Sequence, residues 1–258
     1  MNDFPGLRRL LEVMHRLRDP AAGCPWDLAQ DGRSLARYAL EEAHELVAAL
    51  EAGAPEAVRD ELGDLLFQVV FHAQLAVERG EYDFDAVAAG IAEKLTRRHP
   101  HVFGEGSAGG AGQWEQIKAA ERGARGAHGV LDDVPLSLPA LMRATKLGKR
   151  AASVGFDWPD AVGARAKVVE ELSEVDAAIN ESAARVAEEL GDLLLAVTSL
   201  ARHLRVDPET ALRQANQRFE NRFRSMEAAA AQQGLTLAQL DPAQWDSLWE
   251  QVKQGVQS

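Results

Sequence analysis

The stretch VAEELGDLLLAVTSLARH at residues 186–203 has an earlier echo, VRDELGDLLFQVV, at residues 58–70, and both contain the hexapeptide ELGDLL. In the later copy Leu190, Leu193, Leu194, Val197, Leu200 and Leu204 recur at the i, i+3, i+4, i+7 spacing of one helix face. Leu62, Leu65, Leu66, Val69 and Ala73 do the same in the earlier copy. The spacing predicts a helix with a buried apolar stripe in each. Gly63 and Gly191 interrupt these helices, each between two carboxylates, and a mid-helix glycine costs about 1 kcal/mol relative to alanine. Lacking a side chain, it lets a neighbouring helix or a ligand come close to the backbone. Tight helix packing with no chemistry is an equally complete account.

Working outward, the echo extends to four blocks in one order. LEEAHELVAAL (40–50), VRDELGDLLFQVV, EKLTRR (93–98) and WEQIK (114–118) are matched by VEELSEVDAAI (169–179), VAEELGDLLLAV, QRFENR (217–222) and WEQVK (249–253). Four collinear matches mark an internal duplication. Glycine-rich segments at 104–113 and 121–129 separate the halves, which places the boundary near residue 125, with units 1–125 and 126–258. Alanine, leucine and glutamate dominate both, and no sustained alternation of β-branched residues appears. The expected class is all-α, two tandem helical-bundle units.

In each unit the first helix carries EExxE and the second ExxD. Residues three apart share a helix face, so Glu42 and Glu45 pair on one helix and Glu61 and Asp64 on the next. Glu171 and Glu174, then Glu189 and Asp192, are their counterparts. An αα-hairpin aims four such carboxylates at one point. At 4 Å and an effective dielectric near 20, each pair repels by roughly 4 kcal/mol. They stay ionised together only around a cation; otherwise their pKa values rise. Oxygen-only ligands suit Mg²⁺ or Mn²⁺ rather than zinc, and Mg²⁺ leaves positions open for water and substrate phosphates. Helical glutamates are more often solvated and paired with lysine or arginine. In the second unit Lys167 and Arg185, four residues before Glu171 and Glu189, allow that; the first unit has no such partners.

Lys94 with Arg98, and Arg218 with Arg222, sit four apart downstream of each hairpin, where two cations on one face can clamp phosphate oxygens. Trp114 and Trp249 open the WEQIK and WEQVK blocks and either stack on a base or anchor packing. His99 and His101 have no counterpart in the second unit, which favours a structural role.

Composition narrows the classes. A net charge of −12 argues against a nucleic-acid polymer as partner. One cysteine, Cys24, rules out an internal disulfide and suits a reducing compartment. The opening residues lack the apolar core of a signal peptide, and no run reaches the ~20 apolar residues of a membrane helix. A cytoplasmic protein without membrane contact is expected.

The EEAHE and EELSE motifs, each followed by ELGDLL, resemble the EExxE…ExxD pattern of the MazG family of nucleoside triphosphate pyrophosphohydrolases. GCPWD, RRHPHVF, WEQIK, SLPALMRA and VGFDW are similar to the tandem-domain bacterial form over nearly the whole chain. The resemblance implies an all-α NTP pyrophosphatase fold, Mg²⁺ dependence and a homodimer. It implies hydrolysis of nucleoside triphosphates to monophosphate and pyrophosphate, with broad base tolerance and a house-cleaning role. The implied metal ligands are Glu171, Glu174, Glu189 and Asp192, and Glu42, Glu45, Glu61 and Asp64 in the first unit. Phosphate contacts fall on Arg218 and Arg222, where the family commonly has lysine first, with Trp249 near the nucleotide. Glu170, its counterpart Glu41, or a ligand carboxylate serves as general base. A rival class is a non-catalytic nucleotide-sensing or protein-interaction module whose carboxylates bind metal for structure.

Overall fold

The computed structural model describes residues 4–104 and 129–255. The chain divides into two compact units, 1–120 and 121–258, so the expected boundary near 125 lies outside the described residues. Every regular element among the described residues is helical, as the composition and periodicity require.

The first unit contains α1 (Pro5–Leu17), α2 (Pro25–Leu28), α3 (Gly32–Ala52), α4 (Pro55–Glu78), α5 (Phe84–Arg98) and α6 (Pro100–Phe103). A capping box starts α3: Asp31 accepts from the Arg33 and Ser34 amides, and the Ser34 hydroxyl accepts from the Asp31 amide. Gly53 ends α3 at φ 66°, the left-handed conformation glycine adopts without strain, and Pro55 opens α4 at its first turn. This two-residue turn folds α3 and α4 into a hairpin, and α1 and α5 pack on α4. Met14, Leu35, Val70, Phe71 and Leu75 form the core, with Phe71 fully buried.

The second unit contains α7 (Ala140–Ala152), α8 (Ala161–Ala178), α9 (Ala183–His203), α10 (Pro208–Gln232), a 3₁₀ turn (Leu237–Gln239) and α11 (Pro242–Gly255). Asp160, Ser182 and Asp207 cap α8, α9 and α10 by accepting from first-turn amides. The hairpin here is α8–α9. α7 packs on α9, α10 packs on α7, and α11 packs on α10 around Met226, Ala230 and Leu248. Gly148 on α7 lies against α9: a Cβ there would meet Arg202 Nε at 3.2 Å.

The expected buried stripes are a point of correction. Leu190, Leu194 and Val197 on α9 with Leu204 just past its end, and Val162, Val169 and Leu172 on α8 with Ile179 just past its end, are between 42% and 75% exposed. In the first unit Leu40, Leu50, Leu62, Leu66, Val69 and Val77 are 38–57% exposed, whereas Ala73 is buried. At about 100° per residue, these side chains lie roughly 140° round each helix from the carboxylates. In an antiparallel hairpin the two stripes fall on one side and the carboxylates on the other. The helices packed on each hairpin within its unit leave the apolar side open. Gly63 and Gly191 are likewise clear, since a Cβ at either would meet nothing within 4 Å, so tight packing within the unit does not account for them.

Candidate metal and phosphate site

Each hairpin brings three glutamates together. Carboxylate oxygens of Glu171, Glu174 and Glu189 lie within 4.8 Å of one another, as do those of Glu42, Glu45 and Glu61. The three-residue spacing on each helix and the short turn between them put the pairs face to face. Asp192 lines the same cleft as the second trio, and Asp64 raises the pKa of Glu42, so each aspartate flanks its trio.

In the second unit Glu171 and Glu189 are buried, at 5% and 6% exposure, while Glu174 is open to solvent. Buried carboxylates require countercharge, and two basic residues supply it. Lys167 Nζ lies 2.7 Å from both Glu170 Oε1 and Glu171 Oε1. Arg185 pairs with Glu188 and Glu189 and reaches Glu181 at 3.6 Å. These contacts push the Lys167 ammonium well above its ordinary pKa, chiefly through the hydrogen bond to Glu170. Glu171 Oε2 is buried and receives no hydrogen bond from a basic, amide or hydroxyl group. Glu174 shares a hydrogen bond with Glu171, which holds its carboxyl above the usual carboxylate range. The cleft between the helices has a volume of about 350 Å³ and is lined by Lys167, Glu171, Glu174, Arg185, Glu189 and Asp192. A buried acceptor without a donor, among oxygen ligands only, fits a hard divalent cation.

The first trio is balanced differently. None of Glu42, Glu45 and Glu61 pairs with a lysine or arginine among the described residues. Burial raises the pKa of Glu42, with Asp64, Glu45, Glu41 and Glu61 adding to it; burial and then Glu45 and Asp64 raise that of Glu61.

The remaining expected groups stand elsewhere. Glu41 is exposed on α3, and Glu170 is exposed on α8 and paired with Lys167. Lys94 and Arg98 are half-buried on α5. Arg218 is exposed on α10; Arg222 lies over the Trp249 ring, 5.8 Å from its centroid. Phe219 is 5.7 Å from Trp249 and 5.9 Å from Phe223, ring to ring. Neither Arg218 nor Arg222 lines the carboxylate cleft. Trp114 lies outside the described residues. His99 Nδ1 is 2.7 Å from the Leu95 carbonyl, consistent with closing the end of α5.

One cluster gave no signal in the sequence. Asp157 accepts from both terminal nitrogens of Arg202, while His203 Nε2 lies 3.0 Å from its Oδ1. This pins the VGFDW loop to the end of α9. The Arg202 hydrogen bonds, then that of His203, bring the Asp157 carboxyl down to about 2. Beyond Asp157, Trp158 lies against Gly163, where a Cβ would meet the ring at 3.0 Å.

The family model described as MazG nucleotide pyrophosphohydrolase domain matches residues 30–103 and 163–226, which include both hairpins. The nucleoside triphosphate pyrophosphohydrolase of Escherichia coli strain K12 is 48% identical over 254 residues, covering 95% of this chain and 96% of that protein. The nucleoside triphosphate pyrophosphohydrolase/pyrophosphatase MazG of Thermotoga maritima is 43% identical over 246 residues, covering 95% of each. A third relative, the uncharacterized protein YabN of Bacillus subtilis, is 39% identical over 94% of this chain and 50% of its own length.

Proposed function

The chain belongs to the MazG nucleotide pyrophosphohydrolase family, and from that membership we propose that it hydrolyses nucleoside triphosphates between the α- and β-phosphates. The products are a nucleoside monophosphate and pyrophosphate, and base tolerance is broad, in keeping with a house-cleaning role. The observation that carries this reading is the buried Glu171 Oε2, which faces a carboxylate cleft and receives no hydrogen bond from a basic, amide or hydroxyl group. Glu171, Glu174, Glu189 and Asp192 hold Mg²⁺, with Mn²⁺ as a substitute. The equivalent first-unit ligands are Glu42, Glu45, Glu61 and Asp64. Bound there, such an ion would supply countercharge for phosphate and lower the pKa of a water it binds.

The chain's own groups account for the rest. A water oxygen forms a bond to the α-phosphorus, the α–β bridging bond breaks, and pyrophosphate leaves with the electron pair. Glu170, placed beside the cleft by Lys167, or a neighbouring carboxylate accepts the proton from water. Lys167 and Arg185 neutralise the carboxylates in the free protein. With a divalent cation held by the carboxylates, Lys167 and Arg185 would be available to meet phosphate oxygens.

The open apolar sides of the hairpins support a homodimer. Full burial of one such aliphatic side chain is worth roughly 1.5–3 kcal/mol, and eight in the second unit alone stand at least 42% exposed. No helix among the described residues is long and apolar enough to cross a membrane, which supports action in the cytoplasm.

The test is pyrophosphate release from a panel of nucleoside triphosphates with Mg²⁺, on the full chain and its Glu174→Gln variant. Pyrophosphate release that collapses in the variant, with the helical signal intact, supports the second-unit site. Unchanged turnover would remove Glu174 from it. No turnover with any nucleotide would favour a binding module, and orthophosphate release would contradict the bond proposed to break.

A further inference from the structure

The two acidic hairpins of the duplicated chain differ at two matched positions. Lys167 precedes Glu171 by four residues, where Tyr38 precedes Glu42; Arg185 precedes Glu189 by four, where Ala57 precedes Glu61. Residues four apart share a helix face. The second unit therefore carries two cations beside its carboxylates where the first carries a phenol and a methyl group.

The contacts follow the substitutions. Lys167 Nζ lies 2.7 Å from Glu171 Oε1, and Arg185 pairs with Glu189 Oε1. Both carboxylates are buried, and both cations line the cleft of about 350 Å³ beside them. In the first unit Glu42 and Glu61 are only half-buried and Glu45 is exposed. Two basic residues of that hairpin are engaged elsewhere. Arg37 donates to the Tyr38 hydroxyl and lies 4.5 Å over its ring, and Arg59 pairs with Asp60 at 3.3 Å. A divalent ion approaching the second trio thus meets two positive charges seated on the oxygens it requires. Approaching the first, among the described residues, it meets carboxylates that no lysine or arginine holds.

We infer that Lys167 and Arg185 are built-in competitors for the divalent ion, so that the first unit takes metal at a lower free concentration than the second. This rests on the metal-site reading above. The second cleft is self-neutralised: Glu171 and Glu189 already have countercharge, and an ion gains their oxygens only by displacing it. The competition is reciprocal, since whatever the two side chains subtract from metal affinity the metal subtracts from their hold on the carboxylates. The duplicated sites thus respond to different ranges of free divalent ion, and the second is the one that a rise in that ion switches.

Mn²⁺ titrations followed by electron paramagnetic resonance, which counts free ion, test this on the full chain without nucleotide, in mildly alkaline buffer. Glu45→Gln with Glu61→Gln leaves the second-unit site, and Glu174→Gln with Glu189→Gln leaves the first. The first-unit site is expected to bind on the order of tenfold tighter. Adding Lys167→Tyr and Arg185→Ala to the second-unit protein should recover that factor, and adding Tyr38→Lys to the first-unit protein should lose most of it. Equal affinities, a tighter second unit, or a second-unit affinity that ignores Lys167→Tyr and Arg185→Ala overturns the inference. A full chain that binds no Mn²⁺ sinks the metal-site reading, and the competition with it. Because binding is read without turnover, a chain that releases no pyrophosphate yet keeps the tenfold order, and loses it on substitution, supports the inference while removing the activity. Circular dichroism checks folding. Lys167→Met, which keeps the aliphatic stem, replaces Lys167→Tyr if that variant misfolds, and the Tyr38→Lys arm leaves the second hairpin's cations in place.

Discussion

Replacing Gly191 by alanine separates what the helix prefers from what the protein uses. The residue sits near the middle of α9, helical on both sides, and an added Cβ would meet no atom of the chain within 4 Å. Alanine there loses nothing sterically and gains the full propensity difference, about 1 kcal/mol. That corresponds to roughly a fivefold shift in the folded-to-unfolded ratio and about 3 °C in Tm for a unit of this size. Urea denaturation of wild type and variant, at one protein concentration and without divalent metal, reads the gain. Two other glycines calibrate it. Gly148→Ala must push Arg202 aside at 3.2 Å and should gain nothing; Gly155→Ala, at φ 87°, should lose stability. Pyrophosphate release is expected to fall in Gly191→Ala, because the empty space beside Asp192 is what a ligand or second copy fills. A variant that is both more stable and fully active would refute that use of the space. A less stable one would show that the helix is already pressed.

Two further outcomes follow from the charges. Asp157→Asn should cost on the order of 1 kcal/mol at neutral pH, less than the full shift of a carboxyl held at about 2 because solvent screens this exposed residue. A depressed carboxyl stabilises above its unfolded pKa, so the gap between variant and wild type should close as pH falls from near 4 towards 2 in acid-titrated urea curves. Glu174, Glu42 and Glu61 are shifted the opposite way, so the metal-free fold binds their protons more tightly than the unfolded chain does. That contribution is full below the ordinary glutamate pKa and is lost as pH rises through the raised values. A divalent ion must expel these protons, so Mn²⁺ affinity measured calorimetrically should climb over the same window with proton release; a flat profile would remove these carboxyls from the metal site.

The duplication, the hairpins and the convergence of Glu171, Glu174 and Glu189 were legible because all depend on local spacing: three residues along a helix, one short turn between helices. What covers the apolar stripes was not legible. Periodicity reports that Leu190, Leu194 and Val197 share a face, but not whether the same chain supplies a layer to bury them. The pairing of Asp157 with Arg202 and His203, 45 and 46 residues away, depends on how a loop docks, which no local pattern encodes. Arg218 and Arg222 share one helix as expected, yet Arg222 stacks on Trp249 rather than lining the carboxylate cleft, because α11 packs on α10.

The locality of the two acidic hairpins has a kinetic side. Every carboxylate of each cluster lies within about twenty-two residues of the others along the chain. Closing so short a loop is among the fastest events in folding, and low contact order favours rapid routes. Each cluster therefore assembles as soon as one helical pair has left the ribosome, before α5 or α10 exists to pack around it. Like charges are then brought together at the earliest step, where a proton or a divalent ion at the site eases the climb to the transition state. A divalent ion bound by these carboxylates would therefore act on the nascent hairpin as well as on the finished one.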